Sequence, residues 1–449
     1  MKMNEFKEAV IAAAKARNIE EYEFYGAKSD SINAGALMHV MNEFSTETME
    51  GVCFRCIANG RMGYASTELF TPEEAERIVD AALENAASIE SEDKVFIHAP
   101  GDTYEKIAPI DTVEPSAAQL IESVMNIHEK TYKADSRIID GSQTFGSFDR
   151  SSITICNSKG LDLQYSDAYS QFGCVAVAKD GENMYNGFVM KAVDYALLDE
   201  DAIVKEAVDD AIEQIGQESV DSGTYNIVLS GKMVASLLGV YFSIFTGESV
   251  QRGLSLLKGK EGEIIASDLV TLVDDPFCED TFLRMPFDSE GVATYRKNII
   301  EKGKLNTLLY NLATAHKAGV KSTGNGKKLT YSSSVNTLPY NLYLEKGGSG
   351  EKEDIFKAIG NGIYVTSLNG LHAGANPVTG DFSIASEGYL IENGAKSRPA
   401  KNFTISGNFY QLLKDITMVG DDLKFSTPRS GCCFGSPTVA VKDIAVAGK

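Results

Sequence analysis

Residues able to do chemistry are numerous in this 449-residue chain but scattered. Its five histidines, His39, His98, His128, His316 and His372, never fall close together, so no H-E-x-x-H or similar local metal motif exists. There is also no G-x-S-x-G nucleophile elbow and no G-x-G-x-x-G dinucleotide turn after a strand. Cys53 and Cys56 spell C-x-x-C, but they lie in "GVCFRCIANGRMGY", which reads as a hairpin turning at Asn59-Gly60. Residues three apart in a strand point to opposite faces, which argues against a shared zinc or redox site. Cys432 and Cys433 are adjacent, with no second Cys or His pair at ligand spacing.

The stretch "HKAGVKSTGNGKK", residues 316–328, has the four-residue gap of a phosphate loop between Gly319 and Gly324. Asn325 and Gly326 then stand where Lys and Ser or Thr should be, so the phosphate reading fails. A helix ending near Ala318, with Gly319 as its left-handed cap, accounts for the same letters. Asp274, Asp275, Asp421 and Asp422 read as turn and cap residues, not as a carboxylate metal site.

The elements that must position these residues follow from periodicity. The N-terminal segment forms an amphipathic helix with Glu5 and Glu8 in its apolar pattern, unlike a secretory signal. Residues 20–68 alternate as three or four strands. A helix begins at Pro72 with Thr71 as its cap, a second spans 115–133, and an antiparallel meander covers 137–191. A helix over 199–216 and the strand "TYNIVLS" follow. The main boundary falls near 220, and "NIIEKGKLNTLLY" and "YLIENGAKSRPA" predict hairpins beyond it. The expected fold class is α+β: an N-terminal α/β domain with β-meander, residues 1–220, and a hairpin-rich C-terminal α+β domain, residues 221–449.

Hydrophobic residues make up 43% and charged residues 23%, ordinary for a soluble globular protein. No run of eighteen uncharged apolar residues exists, so no membrane span is expected. Free thiols and the absence of a secretory signal point to the cytoplasm. Sixty-three acidic against 42 basic residues give a net charge of −21, which repels a phosphate backbone and disfavours direct nucleic-acid binding.

Four blocks then carry a family resemblance: "GEIIASDLVTLVDDP", "PFDSEGVATYRKNIIEKGKLNTLLYNLATAHKAGVKSTGNG", "PVTGDFSIASEGYLIENG" and "ITMVGDDLKF". In order and spacing the chain resembles the C-terminal half of the TldD/PmbA family over about residues 225–449. The resemblance implies two-domain α+β subunits that pair around a closed cleft and degrade unstructured peptides. Within it, a metal-bearing TldD-type subunit has H-E-x-x-x-H on a helix and a further cysteine ligand near its C-terminus. The matching positions fall close to Leu238, Gly239 and Ser243, and residues 236–246 contain no His, Glu, Asp or Cys. The chain is therefore similar to the TldE/PmbA branch, with no catalytic or metal residue of its own and with zinc expected in a TldD-type partner.

Two roles stand side by side at this stage: a non-catalytic protease subunit, or a peptide-binding protein that pairs with itself. A modulator of DNA gyrase acting on DNA is a third, which the charge opposes. A peptide in a cleft is best held through its backbone, where glycines allow close approach. The candidates for that contact are Thr323, Gly324 and Asn325, with His372, Gly374 and Asn376 in "NGLHAGANPVTGD".

Overall fold

A computed structural model describes residues 1–91, 93–107 and 112–449. The N-terminal elements are α1 (Met3–Ala16), β1 (Glu21–Leu37), β2 (Val40–Ala58), β3 (Arg61–Thr67), α2 (Pro72–Ser88) and α3 (Ala117–Ala134). Next come β4 (Gln143–Asn157), β5 (Asp162–Asp180), β6 (Asn183–Val193) and α4 (Glu200–Ile212). Thr71 accepts a hydrogen bond from Glu74 N at 3.2 Å, and Pro72 opens α2 where a missing N–H costs nothing. Asn59 and Gly60 both take positive φ, 52° and 73°, so β2 returns directly as β3.

The pairing of these strands was not given by the sequence. The early strands and the meander form one six-stranded antiparallel sheet, ordered β3-β2-β1-β4-β5-β6, because β1 pairs with β4 along its length. Periodicity reveals strands but not partners, and this pairing joins segments about 120 residues apart. Three long strands, not four, occupy residues 20–68, and α4 stops at Ile212. One sheet face is covered by two helix pairs. Helices α1 and α2 bury Phe6, Val10, Ile78 and Val79 against Phe24 and Phe54, while α3 and α4 bury Leu120, Val124, Ile203 and Ala207 against Phe172 and Val189. Glycine is required at both contacts. A Cβ on Gly63 would sit 1.9 Å from Ala82 O, and one on Gly187 would sit 1.9 Å from Ala207 O. Cys53 and Cys56 enter different clusters on opposite faces of this sheet.

The C-terminal half contains β7 (Glu218–Ser219), β8 (Gly223–Leu229), α5 (Gly231–Tyr241), α6 (Gly247–Gln251), β9 (Leu272–Asp274), β10 (Lys297–Glu301), β11 (Lys304–Leu305) and α7 (Leu312–Ala318). It continues with β12 (Gly326–Lys327), β13 (Asn336–Thr337), β14 (Asn341–Leu344), α8 (Lys352–Ile359), β15 (Gly362–Asn369), α9 (Leu371–Gly374), β16 (Asp381–Glu392) and β17 (Ala395–Asn408). The last elements are α10 (Phe409–Lys414), β18 (Ile416–Val419), β19 (Lys424–Phe425), β20 (Cys433–Ser436) and β21 (Val439–Ala447). Both expected hairpins form, β10–β11 and β16–β17. Gly319 caps α7 at φ 70°, as its position demands.

Two larger sheets organise this half. One has the order β11-β10-β9-β14-β20-β19, and the other β18-β21-β8-β15-β16-β17-β7. Because β21 also pairs with β17, five strands of the second sheet close into a small barrel around Ile227, Ile363, Ile384, Ile405 and Val441. The molecule is thus α+β, with both halves meeting where Tyr25, Cys53, Ile155 and Leu161 pack against Phe287. Among the described residues no helix is long and apolar enough to cross a membrane.

Candidate functional site

A cleft of about 320 Å³ opens between two sheet edges, β6 of the first sheet and β19 of the second. Met190, Ala192 and Val193 line one side, Phe425, Ser426, Thr427 and Pro428 the other, and Phe282 and Cys433 lie between them, with charged side chains from both sides. Tyr169 faces Phe282 with ring centroids 6.0 Å apart, and the Thr427 hydroxyl donates to Met190 Sδ at 3.2 Å. The β6 edge carries unspent backbone groups. Asn186 turns its carbonyl away from β5 to accept from Gln214 Nε2 at 2.8 Å, and β6 runs beside β5 without a register shift. Strand alternation therefore directs the backbone N–H and C=O groups of Met190 and Ala192 to that same outer side.

Beneath this edge, Glu206 on α4 accepts from Lys232 at 2.8 Å and from Lys191 at 2.9 Å. Burial alone would push this carboxyl up, but the Lys232 and Lys191 ammonium groups outweigh it and hold the pKa at about 2. Glu206 is thus ionised and clamped, tying α4 to β6 and to the first turn of α5.

The six peptide-contact candidates from the sequence lie elsewhere, and none of them lines this cleft. Thr323 and Asn325 do meet, with the threonine hydroxyl 2.7 Å from Asn325 Oδ1. Both are buried. Asn325 Nδ2 donates to Asp274 Oδ2 at 2.8 Å and to Leu338 O at 2.9 Å, while Asp274 also accepts from Lys297 Nζ at 3.1 Å and Tyr340 N at 2.7 Å. Since β9 pairs with β14, and β14 with β20, this network braces the sheet whose edge is β19. Gly324 has φ 69°, and a Cβ there would sit 2.6 Å from Ala293 O. Its small size admits the chain's own backbone.

His372 is exposed on α9 and forms no hydrogen bond to the 323–325 loop. A Cβ on Gly374 would lie 2.5 Å from Ser383 O, and Asn376 Oδ1 accepts from Val378 N at 3.0 Å, the geometry of a side-chain-mimicked turn. These three fit a loop onto β16.

The helix matched to the zinc position is occupied by packing. A Cβ on Gly239 would lie 3.5 Å from the Phe434 ring, and Phe242 lies 5.8 Å from the same ring. The α-helix ends at Tyr241, so Ser243 falls in a following 3₁₀ turn. Cys432 donates to Pro339 O at 3.2 Å, and burial raises both thiols, Cys433 to about 12. Leu238, Gly239 and Ser243 carry no thiolate, imidazole or carboxylate, so these positions do not fit a catalytic zinc ion, which takes three such protein ligands. Among the described residues no group of three or more His, Cys, Asp or Glu side chains is placed to hold a metal ion.

A second polar cluster joins the halves and was missed in sequence. Arg55 donates to Glu23 at 2.7 Å and lies 3.8 Å from Glu290, whose other oxygen accepts from Leu312 N at 2.8 Å. Asp288 accepts from Glu290 N, Val292 N and Gly326 N. Burial, then Glu290, push the Asp288 carboxyl well above its usual range; burial also raises Glu290 against the pull of Arg55. A charge between Phe54 and Cys56, inside an otherwise apolar strand end, was the available signal. Lys191, Glu206, Lys232 and Lys424 offered none, because they converge from four separate segments.

The fold and these sites define a protein of peptidase-family architecture, and the chain belongs to the PmbA/TldA metallopeptidase family. The models of its domain 1, central domain and C-terminal domain match residues 22–86, 110–215 and 222–448. A solved structure of TldE from Thermococcus kodakarensis superposes with a TM-score of 0.89 at 25% identity, covering 98% of this chain and 99% of that one. A Thermotoga maritima protein proposed as a modulator of a DNA gyrase gives 0.91 at 28% identity over 99% and 100%. The metalloprotease PmbA of Escherichia coli O157:H7 is 27% identical over 87% of this chain and 84% of its own.

Proposed function

We propose that this chain is the metal-free, TldE/PmbA-type subunit of a cytoplasmic two-subunit peptidase, and that it forms one wall of a channel for unstructured peptides. The observation that supports this reading is the packing at the end of α5, where Gly239 and, in the following 3₁₀ turn, Phe242 lie against Phe434 with no metal-ligating side chain among residues 236–246. The outward backbone of Met190 and Ala192 supports the peptide role, since an extended chain adds to such an edge whatever its side chains. A TldD-type partner would hold the zinc, and that ion would supply an activated water. The net charge of −21 weighs against a direct role on DNA.

The test incubates an unfolded peptide with this chain alone, with a TldD-type subunit alone, and with both. Cleavage is expected from the mixture and not from this chain. Chelator-sensitive cleavage by this chain alone would overturn the assignment, and no gain on mixing would favour a peptide-binding homodimer.

A further inference from the structure

The cleft between β6 and β19 carries the opposite charge to the rest of the molecule. Three ammonium groups line it, Lys191, Lys232 and Lys424, against the carboxylates of Glu206 and Asp280. That leaves a net single positive charge in a chain of net charge −21. Lys191 and Lys232 share Glu206, and Lys232 also lies 3.9 Å from Asp210, so these two ammonium groups are already paired. Among the described residues, Lys424 is the lysine of the three without an ion pair; it is exposed and opens the edge strand β19.

A second donor stands three residues on. The Thr427 hydroxyl gives its proton to Met190 Sδ at 3.2 Å, and a thioether is a weak acceptor. A carboxylate oxygen entering the cleft would take that hydrogen bond readily, because a charged acceptor forms a bond roughly twice as strong as a neutral one. Ser426 is already committed, accepting from Phe434 N at 3.1 Å and donating to Thr427 O at 3.2 Å, so it holds the loop in place. Lys424 and Thr427 thus present an ammonium group without an ion pair and a hydroxyl held only by a weak acceptor, opposite the outward backbone of β6.

We infer that this end of the cleft is a carboxylate-reading subsite, in which the unpaired Lys424 ammonium and the Thr427 hydroxyl bind a carboxylate of the peptide, beside the ion-paired Lys191 and Lys232. The inference rests on the peptide-binding reading above and narrows it to peptides that bring a free C-terminal carboxylate or an Asp or Glu side chain to this point. Association should then be salt-dependent, unlike backbone pairing alone.

The experiment measures fluorescence anisotropy of N-terminally labelled, unstructured Gly/Ser/Ala/Thr decapeptides with the full-length protein. One ends in a free acid, one in an amide, and one is amidated but carries a single internal Glu. At low salt the acid should bind about tenfold tighter than the amide, a ratio typical of one hydrogen-bonded charge. Raising salt from about 50 to about 500 mM should erode that ratio. Lys424→Gln should reduce it to about twofold or less, Lys424→Arg should preserve most of it, and Thr427→Val should lower it in part. Tighter binding of the internal-Glu peptide than of the plain amide assigns the subsite to side-chain carboxylates as well; without it, the C-terminal carboxylate is what is read. Equal binding of all three peptides would overturn the inference and leave the peptide channel standing. A preference undiminished in Lys424→Gln would overturn the role given to Lys424. Failure of every peptide to bind would overturn the channel reading together with this one.

Discussion

Replacing Asp274 by alanine should be among the most costly single changes in the C-terminal half. Its carboxylate is fully buried and accepts from Lys297 Nζ, Asn325 Nδ2 and Tyr340 N at 3.1, 2.8 and 2.7 Å. Removing it strands a lysine that is only 5% exposed, and breaking a buried pair from one side costs about 3–5 kcal/mol. The Tyr295 ring, 4.7 Å from the ammonium, offsets roughly 1 kcal/mol of that at most. A loss of about 2–4 kcal/mol remains, a large share of an ordinary domain's stability. Adding Lys297→Met removes the stranded charge, so the double variant should recover to within about 2 kcal/mol of the parent. The chain has no tryptophan and 19 tyrosines, so urea unfolding is followed by tyrosine fluorescence and far-ultraviolet circular dichroism. A loss below about 1 kcal/mol for Asp274→Ala, or a double variant no more stable than the single, would refute the view that this ion pair is buried and mutually dependent.

Gly324→Val should destabilise the fold by about 2 kcal/mol or more, since a β-branched residue is forced to φ 69° against Ala293 O; an unchanged melting temperature would return the loop to ligand contact. The clamp on Glu206 makes a pH prediction. Its folded-state pKa lies below the ordinary 4.5, so its contribution is present above that value and lost as pH falls toward about 2. The stability gap between parent and Glu206→Gln should accordingly narrow across that window in acid denaturation, and a gap that widens would show the sign to be wrong. Cys432 and Cys433, buried with raised thiol pKa values, should resist iodoacetamide near neutral pH until urea is added, as mass spectrometry would read. Metal analysis of the purified chain should find well under one zinc per chain; about one, lost on mutating both cysteines, contradicts the packing described at α5.

Much of the architecture was readable from local chemistry. Thr71-Pro72 starting a helix, Asn59-Gly60 turning a hairpin and Gly319 ending α7 each depend on dihedral preferences of one or two residues, which the letters carry directly. The letters also separate Cys53 from Cys56, because strand alternation is fixed at two residues. By contrast, the union of the early strands with the meander hangs on β1 choosing β4, a pairing that buries Phe24 and Cys156 together under α1 and α2, and Ala34 and Phe172 together under α3 and α4.

The same division applies to the sites. By its own composition the sequence determined that residues 236–246 cannot ligate a metal and that the surface is strongly acidic, since neither depends on folding. Only the tertiary structure decided that Thr323 and Asn325 brace a sheet instead of facing a ligand, and that a positively charged cleft lies between β6 and β19. Burial and charge convergence are properties of distance in space, and Lys191, Glu206, Lys232 and Lys424 come together only after α4 has packed on Gly187 and β20 has paired with β14.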